Sequence, residues 1–292
     1  MSLFAIFLIL LSTGFHAGWN LMAKGQARED VFFLRMLTVT AVVGFIPFCV
    51  AEFSLRCLTP LAWACVLGSG LCCGGYYICL ARAYASGDFT TVYPVARALP
   101  VVILAVCDAL RGNAPSLPGW LGVALVVLGA LLAPLISLRE FSLSRYVNKT
   151  SLWMVLTASG TVGYTLLDKA AAGAVSAGPA AAAIYGYAFF VISLLTYTPW
   201  VLRRLRRAPA PVTMGWLLPG CAATMNFGAY WLILWAYQLT QRAGYVVAFR
   251  QFSIVIGVVL GFICFREQGR VVRIIGALLI TAGLAAIGFW GR

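Results

Sequence analysis

Charge is scarce in this chain, and acid is scarcer still. Of the 292 residues 10% are charged, eight are Asp or Glu and one is His, whereas soluble domains carry roughly 25% charged residues. So few charges cannot cover a surface that faces water. With 62% hydrophobic residues and a mean hydropathy of +0.95, a water-soluble globule is excluded. A single His excludes an HExxH zinc site, and neither GxSxG nor GxxxxGK[ST] occurs, so the common hydrolase and P-loop chemistries have no motif to stand on. No CxxC…CxxC spacing is found among the nine cysteines. Most of them (Cys65, Cys72, Cys73, Cys79, Cys107, Cys221, Cys264) fall inside apolar runs and read as small helix-packing residues. No basic segment precedes residues 3–23, and His16, Trp19 and Asn20 interrupt that run, so it is expected to be a retained helix rather than a signal peptide. No cofactor, metal or nucleic-acid partner is expected.

The net charge of +13 sits mainly in short gaps between apolar runs, as in Arg203-Arg204-Leu205-Arg206-Arg207. That placement suits loops at a membrane face rather than a nucleic-acid surface. A spanning helix needs about 20 mostly apolar residues. Ten such stretches can be marked: 3–23, 31–50, 61–81, 90–110, 117–138, 151–170, 179–202, 214–237, 243–265 and 271–290. Short connections carrying Gly, Pro or charge separate them and leave no room for a soluble domain.

The chain also repeats itself. At an offset of 153 residues Gly75, Tyr77, Ala83, Tyr84, Arg97, Val102, Ile103 and Val106 fall on Gly228, Tyr230, Ala236, Tyr237, Arg250, Val255, Ile256 and Val259. At 154 Gly122 and Gly129 fall on Gly276 and Gly283, and at 145 Gly18, Leu21 and Lys24 fall on Gly163, Leu166 and Lys169, with Trp19 against Tyr164. The coincidences are collinear and include matched arginines and tyrosines, which a random apolar chain supplies rarely. The expected fold is an all-α integral membrane protein of ten helices, made of two five-helix repeats, 1–145 and 146–292. Five is odd, so the second repeat enters the bilayer from the opposite side, the inverted plan of many carriers with a site between the halves.

Polar residues inside such helices are the candidates for function. Arg97 lies mid-helix in Val92-Tyr93-Pro94-Val95-Ala96-Arg97-Ala98-Leu99-Pro100, where insertion costs about 2.5–3.5 kcal/mol unless the side chain meets an interior partner or a watery cavity. Tyr93 shares its face, and the two prolines are expected to kink the helix and free carbonyls. Arg250 is its repeat-mate. Two arginines facing one site would recognise a carboxylate or phosphoryl group; equally, each could bond helix carbonyls or snorkel to a membrane face. His16, Trp19 and Asn20 share one face of the first helix, either as a pocket wall or as interhelical hydrogen-bonding groups. In the eighth helix Asn226 and Tyr230 lie deep, while Trp235 and Tyr237 are near enough to the end to be interfacial. Asp168 and Lys169 close the sixth helix and, being adjacent, do not face each other.

These residues, together with the Ala83-Tyr84 pair and Arg266-Glu267 after the ninth helix, resemble the EamA-type members of the drug/metabolite transporter superfamily, over essentially the whole chain. The resemblance implies a carrier of small metabolites with a central cavity lined by helices one, three, four, six, eight and nine. Carried onto this sequence, the substrate-binding set is His16, Trp19, Asn20, Tyr77, Tyr93, Arg97, Tyr164, Asn226, Tyr230 and Arg250. One departure is Ala114, which stands where the first half would match Glu267. The family's substrates are broad, and the segment around Trp19-Asn20 looks like a subset associated with phosphonate utilisation.

The expected function is a secondary carrier for a small polar metabolite with an anionic group, spanning the cell inner (plasma) membrane several times. A coupling proton or an exchanged metabolite is the expected further partner besides lipid. An integral membrane enzyme or a lipid-modifying or flippase subunit is the alternative, and paired titratable groups in one site would distinguish it. Loops after odd-numbered helices hold thirteen Lys and Arg against five on the side of the termini. The positive-inside rule then places both termini outside the cytoplasm, whereas related nucleotide-sugar carriers are expected to keep theirs in the cytosol, so orientation stays open.

Overall fold

The computed structural model describes residues 1–23, 26, 28–86, 89–133, 135, 137, 149–207, 215–264 and 270–291, with backbone alone at 84–86, 89–97, 149–151, 261, 263 and 264. These residues fold into helices: α1 (Leu3–Ala23), α2 (Glu29–Leu55), α3 (Pro60–Ser86), α4 (Phe89–Leu110), α5 (Leu117–Leu132), α6 (Lys149–Ala171), α7 (Pro179–Arg207), α8 (Leu217–Gln238), α9 (Ala243–Arg250), α10 (Phe252–Cys264) and α11 (Arg270–Trp290). Among the described residues, seven helices are long and apolar enough to cross a membrane, with α9 and α10 counting as one, and two shorter apolar segments lie at 98–110 and 117–132. Helix is what hydrocarbon demands, because an apolar segment there must satisfy its backbone groups internally. The outer faces agree: on α2, Val43 is 71% and Phe53 80% exposed, a face suited to lipid and not to water.

The elements differ from the sequence expectation in three places. The basic run 203–207 forms the last turns of α7 instead of a loop, where cations complement the carbonyl end of the helix dipole. The fifth helix stops at Leu132, short of 138; Pro134 lacks the N–H a further turn would use. The ninth stretch breaks at Gln251, whose N–H donates to the Ala248 carbonyl at 2.9 Å, a tighter turn separating α9 from α10. The backbone of α4 stays helical through Pro94 and Pro100.

Small residues set the closest packing. A Cβ on Gly122 would lie 2.7 Å from the Gly283 carbonyl oxygen, and one on Gly129 would lie 2.5 Å from that of Gly276. As numbers rise along α5 they fall along α11, so the two helices run antiparallel with backbone against backbone, the geometry small residues permit in membranes. Elsewhere α1 packs on α8 and α3 on α6. Gly18 abuts the Met225 side chain, and Gly163 abuts Cys72, whose Sγ would lie 2.9 Å from an added Cβ. The eight described cysteines are free, and Cys72 fills the packing role expected of it.

Each end of the bundle is tied. At one end Asp30 pairs with Arg28 at 3.0 Å and with Arg204 at 3.4 Å. At the other, Arg242 donates to the carbonyls of Asn113, Ala114 and Gly291, Ser116 to that of Trp290, and Lys169 to that of Tyr237 at 2.8 Å. Asp108 of α4 accepts from the Ala243 and Gly244 N–H groups that open α9, satisfying donors a helix N-terminus leaves unpaired.

Candidate functional site

Between α1, α3, α6, α7, α8 and α9 lies a cavity of about 30 Å³, room for a couple of waters. Its wall includes His16, Trp19, Tyr77, Tyr164, Asn226, Tyr230 and Arg250. Seven of the ten residues singled out in the sequence are thus brought to one place. Asn20 lies beside it, donating to the His16 carbonyl at 2.6 Å, and is not part of the lining. The side chains of Tyr93 and Arg97 lie outside the described residues.

Helical spacing accounts for the convergence on α1. His16 and Trp19, three apart, share a face, and Trp19 Nε1 donates to His16 Nδ1 at 3.2 Å, so that nitrogen is held as an acceptor. Beyond them an aromatic wall continues. Phe189 stacks on Tyr230 with centroids 4.6 Å apart and 19° between planes, and Tyr164 meets Tyr230 edge-on at 6.0 Å. Such contacts fix ring positions more tightly than apolar burial alone. Phe189 and Phe190 come from the seventh helix, which sequence reasoning left out; the adjacent aromatics at 189 and 190 were the available signal.

Two groups give the cavity directed polarity. Arg250 closes α9 at the break before Gln251; its Cζ stands 5.9 Å from the Tyr230 ring centroid, with Tyr164 in hydrogen-bonding reach. It does not snorkel, because the break leaves the guanidinium among rings that attract a cation. Asn226, 6% exposed, keeps Nδ2 beside Tyr77 without a well-formed hydrogen bond, an expensive state for a buried donor unless a ligand or water meets it.

Immediately behind Tyr230 lies Asp168, only 1% exposed. Its Oδ1 accepts from Ser69 and, at 2.8 Å, from Tyr185; its Oδ2 accepts from the Tyr230 hydroxyl. The carboxylate therefore joins α3, α6, α7 and α8. The sequence placed it at a helix end beside Lys169, as an unremarkable terminal acid. What it offered as a signal was an acid followed by only three further helical residues yet preceded by a long apolar face. Among the described residues no group of His, Cys, Asp and Glu could hold a metal ion.

Comparison with known proteins agrees with this architecture. A solved structure, titled only as the crystal structure of a protein, superposes with a TM-score of 0.67 at 16% identity, over 99% of this chain and 96% of that one; at such identity the likeness is one of fold. A comparison with curated proteins gave no match. Residues 3–134 match the family described as the EamA-like transporter family, a family of transporters and not of enzymes. Over those residues, just under half of its length, the chain is similar to the EamA-like transporter family of the drug/metabolite transporter superfamily, and its apolar helices are those of a multi-pass membrane protein.

Proposed function

We propose that this protein is a secondary carrier that moves a small polar metabolite bearing an anionic group across the inner (plasma) membrane by alternating access. The observation that carries the reading is the central cavity itself. Residues of α1 and α3 and residues of α6 to α9 line it together, and an arginine and an under-bonded asparagine direct donors into it. Guanidinium and amide N–H groups in an aromatic, water-poor wall suit a carboxylate or phosphoryl oxygen.

Alternating access follows from ten spans arranged as two inverted repeats, 1–145 and 146–292. Three features support that arrangement. The α5 and α11 helices, which coincide at an offset of 154 residues, run antiparallel. Their contacts exchange under the same offset, Gly122 on Gly283 and Gly276 on Gly129. The contact of Gly18 with Met225 likewise becomes that of Gly163 with Cys72. A two-fold axis in the membrane plane produces such exchanges, and rocking about it opens the shared site to either side.

The test is a thermal-shift screen of purified protein with acetate, methylphosphonate, glucose and choline, since a ligand of the folded state raises its melting temperature by mass action. An anion should stabilise wild type and not Arg250→Gln, and should then show counterflow in liposomes. Stabilisation by choline alone overturns the anionic assignment. Flux without trans-acceleration overturns the carrier in favour of a channel.

A further inference from the structure

We propose that Asp168 is a proton-binding site coupled to the cavity, so that an anionic substrate travels with a proton; this rests on the anionic reading above. Asp168 is 1% exposed and is tied to the cavity wall by Tyr230, a lining residue whose hydroxyl donates to Oδ2. The groups facing it can be named element by element. From α3 come Ser69 and the thiols Cys65, Cys72 and Cys73. From α7 comes Tyr185, and from α8 Tyr230 and Tyr237. On its own helix are Tyr164 and Lys169, the latter bonded to the Tyr237 carbonyl and facing Asp108 of α4 and Arg111 just beyond it. Arg250 of α9 is the cation among the described residues that acts on it across Tyr230.

Among the described residues, one carboxylate, Asp168, and one guanidinium, Arg250, balance across Tyr230 while no anion is bound. An anion bound at Arg250 leaves that region one negative charge in excess, and uncompensated charge in an apolar interior is strongly unfavourable. Binding of a proton to Oδ2 removes the excess. The O–H bond formed there takes its proton from hydronium, whose O–H bond breaks to leave water, and no other covalent bond changes. The new Oδ2–H group donates where Oδ2 previously accepted, so the Tyr230 hydroxyl becomes its acceptor and turns its own hydrogen away. That hydrogen is then free for an oxygen of the substrate. Charge and hydrogen bonding therefore favour the proton and the anion together, and by linkage each raises the affinity for the other. Ser69, Tyr185 and Tyr230 each donate a hydrogen bond to Asp168, and a proton on Oδ2 reverses only the bond from Tyr230.

Infrared difference spectra of detergent-purified protein, titrated between about pH 8 and pH 5, test this. Wild type should show a carboxylic-acid band growing as pH falls, absent from Asp168→Asn and shifted in Tyr230→Phe, which loses the hydrogen bond to Oδ2. Adding methylphosphonate or acetate at fixed pH should increase the band and draw protons from a weakly buffered solution, with no such uptake by Asp168→Asn. A band that never titrates, or one indifferent to an anion that demonstrably binds, overturns the proposal. If the band titrates and responds to protonation alone while neither anion changes the melting temperature, the proton site stands and the anionic reading of the cavity fails. Should Asp168→Asn not fold, Tyr230→Phe still assigns the band through its shift.

Discussion

Positions that coincide when the sequence is laid on itself agree in packing and disagree in chemistry. Glycines at equivalent positions make equivalent contacts, as Gly122 and Gly276 do across α5 and α11. Tyr77 and Tyr230 stand 153 residues apart and both line the cavity. Yet the neighbours of the two tyrosines differ: Tyr230 donates to Asp168, whereas Tyr77 stands beside Asn226. At the offset of 145 that aligns α1 with α6, Asp168 falls on Ala23, itself buried. Backbone fit constrains both copies alike, because a clash in either breaks the bundle. A buried carboxylate needs several donors built around it, and one copy suffices to serve a shared cavity.

The largest effect expected from this contrast is at Asp168. Asp168→Ala leaves three hydroxyls without their acceptor and should cost about 3–5 kcal/mol, read as lost monodisperse protein on heating and gel filtration; Ala23→Ser, at the matching position, should be close to neutral. An equally mild Asp168→Ala would make the acid peripheral. Next, Gly122→Val and Gly276→Val should each lower thermal stability by about 1–3 kcal/mol from overpacking, and by similar amounts. One severe and one silent variant would break the equivalence of the halves. Tyr230→Phe gives up a hydrogen bond to a charged group, about 1.5–3 kcal/mol, against about 1 kcal/mol for Tyr77→Phe; equal melting temperatures would erase the difference. Smallest, Arg204→Ala should change stability by less than about 1 kcal/mol, as its partly exposed pairing with Asp30 implies. Cysteines placed at 28 and 204 should nonetheless label from the same side of the membrane; opposite sides would overturn the ten-span reading.

Much of this arrangement was legible in the sequence. Apolar runs located the helices, since length and hydropathy are enforced by the bilayer. The pairing of Trp19 with His16 followed from a spacing of three, and the repeat picked out Arg250 and Tyr230. Asp168 was missed because its meaning is three-dimensional: Ser69, Tyr185 and Tyr230 come from three other helices, and no spacing in α6 announces them. The break at Gln251 was equally hidden, as 243–265 reads as one continuous apolar stretch. It is the break that leaves Arg250 facing the cavity instead of reaching for a membrane surface. Arg97, its counterpart, remains an expectation of the sequence: Arg97→Lys keeps charge and loses the planar fork, so it should impair anion transport while the protein stays folded.

The glycine seam carries a mechanical consequence. At Gly122, Gly129, Gly276 and Gly283 the first obstacle an added atom would meet is main chain, which has no rotamers with which to yield. At Gly18 and Gly68 it is the far end of Met225 or Leu167, side chains that swing with little resistance. Compliance is therefore unevenly distributed: α5 and α11 form a stiff spine away from the cavity, and the contact of α1 with α8 beside the cavity is cushioned at Gly18. A force that prises the bundle open will be spent first at α1 with α8, while the spine keeps its register.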